Sequence, residues 1–369
     1  MRITLLVIAM ILAVSHATAS TTSTGISRDF NPAISANGLI LYSSGSLGET
    51  DEHEHEGEHS PEEGLRIQET ELQLSANVDP YSKAVLTFAM HGSSAFELEE
   101  GYLQTRRLPA HLGLKVGRFL WDFGKHNQYH SHQFPFVEKP HAWEELLGEH
   151  GLAGEALQMN WLSPLPWFAE LSATAFPLNH SVYGEHAEAP ENHWGKSLHL
   201  AQLFETGKCS TLELGGSWLS GPVAHEHEEE IEEGDREFLG FDATWKWIGS
   251  RANAKQLEIQ GEWIRRSDRL GEEDITGSGW YLSSRAKVSR RFWIGARYDS
   301  FHSPSHEDES GEHEHSGESS TIALSLAFVA SEFQAWRMDL MKRAVGEGTY
   351  PAIRLQANFT IGSHPAHRY

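Results

Sequence analysis

The sequence holds a single cysteine, Cys209, so no internal disulfide can staple it. It also lacks any apolar run of about 20 residues, the length a membrane-spanning helix requires. The longest such stretch covers residues 3–14 and falls short. Positive charge is scarce, with 29 Lys and Arg against 52 Asp and Glu and a formal net charge of −23. Nucleic acid is thereby excluded as a partner, because phosphate binding needs basic surface. The acidity suits cations or a hydrated surface. No Ser, His and Asp spacing singles out a nucleophile and its base, so no enzyme is expected, and a barrel-embedded hydrolase is the weakest alternative.

Alternation is what the chain has in quantity. The start reads as an export signal over residues 1–19: Arg2, the apolar run, then Ala17-Thr18-Ala19. A short periplasmic segment (20–31), a barrel (32–362) and a polar tail (363–369) are expected to follow. Within residues 32–362 we read sixteen strands of period two. In one, Ile353, Leu355, Ala357, Phe359 and Ile361 oppose Arg354, Gln356, Asn358 and Thr360. In another, Leu257, Ile259 and Trp263 oppose Gln256, Glu258, Gln260 and Glu262. A soluble sandwich would alternate too, but here the polar faces carry charges and amides strand after strand, as a wet lumen requires. Trp161, Trp167, Trp218, Trp247, Trp263, Trp280, Trp293 and Trp336 fall near strand ends, where interfacial girdles place amphipathic rings.

The connections alternate between short turns, such as Asp79-Pro80-Tyr81-Ser82 and Gly207-Lys208-Cys209, and long links. The long series covers residues 47–64, 125–151, 179–196, 222–236, 268–277 and 302–319, with two short members near Gly92 and Gly346. This predicts an all-β, transmembrane, antiparallel up-and-down barrel with both termini on the turn side and no plug domain. The outer membrane of a Gram-negative bacterium is the expected location, membrane lipid the first partner, and a homotrimer a further possibility.

The segments around Glu69-Thr70-Glu71-Leu72-Gln73-Leu74, Glu97-Leu98-Glu99-Glu100-Gly101-Tyr102 and Leu114-Lys115-Val116-Gly117-Arg118-Phe119 carry a resemblance. They are similar to those of bacterial outer-membrane porins related to the phosphate-selective porin O and P group. The tail of residues 363–369 resembles a subgroup with histidine-rich loops, often labelled zinc-regulated outer-membrane proteins. The resemblance implies a porin barrel that passes small solutes.

Seventeen of the 23 histidines fall on the long links. Three links alternate imidazole with carboxylate, around His53, His55 and His59, around His225 and His227, and around His306, His313 and His315. Imidazole binds Zn, Cu and Ni well, and carboxylates add oxygen ligands. Weak, exchangeable zinc or another divalent cation is the expected ligand, and no cofactor is required. The bland alternative is a set of acidic, solvated loops. The link over residues 125–151 differs: Tyr129, Phe134, Phe136, Trp143, Leu146 and Leu147 can pack, while Pro135 and Pro140 stiffen it. Folded inward, it would set His126, His130, His132, Glu138, His141, Glu144 and Glu145 at a constriction; folded outward, it would be an external loop. Lumen charges are expected at Lys115, Lys246, Glu258, Glu262, Arg297, Arg337 and Arg354, with Glu97, Glu99 and Glu213 as neighbours. They form no basic ladder, so phosphate selectivity is not carried over. The function expected is passive solute uptake with metal-attracting loops. A metal-buffering surface barrel without an open channel is the alternative.

Overall fold

A computed structural model describes residues 32–47, 63–92, 94–106, 108–148, 150–177, 193–227, 230–249, 255–270, 273–305 and 317–362. Sixteen strands run in chain order: β1 (Ala33–Ser44), β2 (Gly64–Asn77), β3 (Ser82–His91), β4 (Glu97–Thr105), β5 (Leu112–Leu120), β6 (Ala153–Leu162), β7 (Phe168–Pro177) and β8 (Trp194–Gly207). They continue with β9 (Ser210–His227), β10 (Glu230–Ile248), β11 (Gln256–Leu270), β12 (Glu273–Lys287), β13 (Phe292–Ser305), β14 (Glu318–Ser331), β15 (Gln334–Val345) and β16 (Gly348–Gly362). Each strand pairs antiparallel with its sequence neighbours, and β1 pairs with β16, so the sheet closes without an edge. Closure leaves the described strands with no open sheet edge, the condition for a sheet to stand in lipid. No helix of the described residues is long and apolar enough to cross a membrane.

The burial pattern is inverted relative to a soluble protein. On β16, Ala352, Arg354, Gln356, Asn358 and Thr360 are buried, while Ile353, Leu355, Phe359 and Ile361 are exposed. On β11, Gln260 and Glu262 point in and Ile259 points out. Period two makes this unavoidable once one face is assigned to the lumen. The outer face is a band of exposed Leu, Ile, Val and Phe, with Trp161, Trp167, Trp247, Trp280 and Trp336 exposed on it. Trp293 breaks the expected girdle: it lies on the inward phase of β13 with Gly295 and Arg297 and is buried.

Two departures from the sequence reading concern loops. The link over residues 222–236 is not a long loop, because β9 and β10 extend as a paired hairpin until Glu230 faces His227. The link over 268–277 is likewise mostly strand, with Leu270 paired to Glu273. The third long link does not stand outside the barrel. It folds into it as 3-10 turns at His126–Gln128 and Ser131–Gln133, followed by helix α1 (His141–Leu147).

Candidate channel interior

Loop 3, residues 121–152, is anchored first at its own ends. The Asn127 side chain donates to the carbonyls of Trp121 (2.9 Å) and Leu152 (3.0 Å), and its Oδ1 accepts from Leu152 N (2.8 Å). One side-chain amide thus staples the two strands of the loop where it enters the barrel. Beyond the staple, Glu262 of β11 accepts from the backbone N–H groups of Lys125 (3.0 Å) and His126 (2.8 Å), and from the Tyr281 hydroxyl.

The far side of the loop is held by the opposite wall. Val137 N donates to Asp339 (2.7 Å), His141 N to Asp299 (3.3 Å), and Arg297 to the carbonyls of Glu138 (2.6 Å) and Lys139 (3.3 Å). Arg354 binds the Glu138 carboxylate and Gly45 O, and Asn358 Nδ2 donates to His132 O at 3.0 Å. Loop 3 therefore crosses the lumen from β5 to β16. Its apolar residues find partners inside as well: Trp143, Leu146 and Leu147 pack in one cluster with Phe119, Phe176, Leu219, Phe238, Ile264 and Phe301 of the wall. Glycines make room for this approach. A Cβ on Gly279 would lie 2.1 Å from the Ala142 Cβ, and one on Gly295 would lie 3.3 Å from the Phe136 ring.

The expected residues divide accordingly. Within loop 3, His126 and His132 are buried, His130 and His141 nearly so, and Glu138 is ion-paired. Glu144 and Glu145 lie on the exposed face of α1. Of the lumen charges, Glu258 pairs with Lys246 at 2.8 Å and with Arg285, and Arg297 pairs with Asp299 at 2.9 Å. Arg337 donates to Gln356 at 3.3 Å, and Lys115 lies over the Tyr102 and Phe119 rings at 4.0 and 4.1 Å. Glu213 pairs with Lys125 of the loop, whereas Glu97 is exposed at the start of β4. His53, His55, His59, His306, His313 and His315 lie outside the described residues. His225 and His227 belong to the end of β9 rather than to a loop.

Of the carboxylates facing loop 3, sequence reasoning placed Glu99 in the lumen and missed Glu69, Glu71 and Glu100. Glu69 and Glu71 of β2 and Glu99 and Glu100 of β4 surround His130 and His132. His130 Nδ1 lies 3.2 Å from Glu99 and 3.4 Å from Glu71, its Nε2 lies 3.2 Å from Glu100, and His132 Nδ1 lies 3.3 Å from Glu71. Strict alternation cannot bring Glu99 and Glu100 to one side. The register between β3 and β4 steps from Thr87↔Glu100 to Phe88↔Leu98, leaving Glu99 as an extra residue in a bulge that turns both carboxylates inward. The doublet Glu99-Glu100 was visible; the bulge was not.

These surroundings set the loop histidines apart. Burial works against a charged His130, but hydrogen bonds to Glu100 and Glu99 and the charge of Glu71 outweigh it and hold its pKa well above the ordinary imidazole value. His126 goes the other way: burial, then Arg297 and Lys139, depress it well below 6.5. His141 is pushed down to about 3 by burial and by Arg343 and Arg297. Charge in the interior is grouped by strand, with four carboxylates on β2 and β4, and with Arg297, Arg337, Arg343 and Arg354 on β13, β15 and β16 interspersed with Asp299 and Asp339.

No family model matches the sequence. An uncharacterized protein of Aquifex aeolicus is 29% identical over 351 residues, spanning 86% of this chain and 72% of that one. The fold is that of outer-membrane porins. The outer membrane channel DcaP of Acinetobacter baumannii superposes with a TM-score of 0.59 at 9% identity, over 94% of this chain and 100% of that one. The trimer form of OmpT, an outer membrane protein of Vibrio cholerae, gives 0.57 at 10% identity over 90% and 100%. An anion-selective porin from Comamonas acidovorans gives 0.54 at 10% identity over 89% and 98%.

Proposed function

We propose that this protein is an outer-membrane channel for passive uptake of small solutes, with loop 3 as its constriction and its acidic, histidine-rich loops attracting divalent cations, zinc foremost. The observation that carries the reading is the pairing of an apolar outer wall with a charged inner wall across which loop 3 is hydrogen-bonded. Charged groups set face to face in a narrowed lumen select among solutes by charge and size. The acidic balance of the chain favours cations at its mouth. Association as a homotrimer fits a barrel of this kind, and one structure of the V. cholerae protein is a trimer form.

A second reading has its own support. The apolar cluster of loop 3 fills part of the interior that a wide pore would leave to water. A metal-buffering barrel without open-channel activity would tolerate such filling. Planar-bilayer recording of the purified full chain separates the two. Discrete current steps support the channel; a folded barrel that inserts and carries no current rejects it.

A further inference from the structure

We propose that Glu71, Glu99 and His130 form a divalent transition-metal site that clasps loop 3 to the β2–β4 wall. The proposal deepens the channel reading and rests on loop 3 lying inside the barrel. The three residues offer one ligand atom each, all within 4.8 Å of one another. They come from three separate segments, so bringing them together requires the β4 bulge and the inward fold of the loop.

The geometry suits an ion better than a set of direct hydrogen bonds. Charge-assisted N–H···O contacts settle at about 2.7–2.9 Å. The Nδ1 atom of His130 stands off at 3.2 Å from Glu99 Oε2 and 3.4 Å from Glu71 Oε2. Ligands about 2.0–2.1 Å from a tetrahedral ion are separated from one another by about 3.3 Å. A second observation points the same way. Glu71 Oε2 is buried and is met by long imidazole contacts, with Nδ1 of His130 at 3.4 Å and Nδ1 of His132 at 3.3 Å. The remaining ring nitrogen of His130 is 3.2 Å from Glu100, the carboxylate–histidine arrangement that fixes ring orientation at metal centres. His132 Nδ1 lies 3.3 Å from the same Glu71 oxygen.

Mixed imidazole and carboxylate donors suit Zn²⁺, Co²⁺ or Ni²⁺ better than Ca²⁺ or Mg²⁺, which prefer all-oxygen shells. Three protein ligands leave a fourth position for water, the pattern of an open and exchangeable site. Entry is from the lumen, since the Glu99 and His130 side chains retain 18% and 11% exposure while Glu71 retains 2%.

The test uses the full chain in detergent, stripped with chelator and titrated at pH 7.5 with CoCl2 and, separately, ZnCl2. A background variant replaces His53, His55, His59, His225, His227, His306, His313 and His315 with Gln, which removes the candidate outer metal-binding histidines from the readout. In that background one equivalent of Co²⁺ is expected to bind with the visible spectrum of a tetrahedral N/O site. Glu71→Gln or His130→Gln should weaken binding by about 100-fold or more, and Glu100→Gln by about 10–100-fold. Heat-modifiable migration and current steps of each variant report whether the barrel is intact. Should Glu71→Gln not fold, zinc X-ray absorption of the background variant reads the same shell and should show imidazole with carboxylate oxygen. Undiminished binding in folded Glu71→Gln and His130→Gln, or its complete loss in the outer-loop background, overturns the site. Absence of current with binding retained would instead count against the channel and leave the site standing.

Discussion

At the scale of single residues, the interior depends on a few side chains that meet loop 3 at its backbone. Glu262 receives two backbone N–H groups and a phenol, all buried. Glu262→Ala leaves those donors without an acceptor, at about 1–3 kcal/mol for each one that stays buried. A lowered temperature for the heat-modifiable gel shift, with the barrel still closed at room temperature, is the expected outcome. His141 gives a pH signature. Its pKa inside the barrel is about 3, whereas a released imidazole titrates near 6.5. Above about pH 6.5 both states are neutral and the inward position keeps its full stability. As pH falls from there toward 3, only the released loop takes up the proton, so the inward position loses stability. His126 acts in the same direction. His130 acts oppositely, but its contribution is already complete below 6.5 and adds no slope there. Current recorded from pH 7.5 down to 4.5 should therefore become noisier and larger, and His141→Gln should flatten the trend. An identical pH dependence in the variant would refute the assignment.

At the scale of elements, what the sequence made legible depended on how each strand is solvated. Strands inside the bilayer have one face in lipid and one in the lumen, so β11 and β16 announce themselves by period two. The end of the β9–β10 hairpin does not alternate in sequence. His225-Glu226-His227 and Glu230-Ile231-Glu232-Glu233 are polar at nearly every position, and they read as a loop although they pair. The inverse lapse marks where loop 3 packs. Leu219, Phe238, Ile264 and Phe301 lie on faces that are polar lower in the same strands, because their neighbours are Trp143 and Leu147 rather than water. That apolar substitution on a lumen phase was a readable signal of an inward loop, and the glycines opposite it were another. Gly279→Val would drive a side chain into Ala142 and lift α1 from β12. An enlarged single-channel conductance is expected, and a conductance equal to wild type would show that α1 does not narrow the passage.

At the scale of the whole molecule, a chain with a formal charge of −23 encloses an interior in which charge is grouped by strand. The carboxylates of β2 and β4 and the arginines of β13, β15 and β16 lie on neighbouring sectors of the wall, with β1 between β2 and β16, and loop 3 binds both sectors through His130 and Glu138. Closure of the sheet followed from alternation and from the rhythm of short and long links. This grouping of charge did not, because it depends on which strands become neighbours in a ring and on one bulge in β4. The central claim is that the closed barrel conducts through what loop 3 leaves open. Single-channel recording of the full chain in planar bilayers at pH 7.5 tests it most directly. Discrete, reproducible steps that grow when Gly279→Val displaces α1 are the predicted result. A correctly folded, inserted protein that carries no current in either form would contradict it.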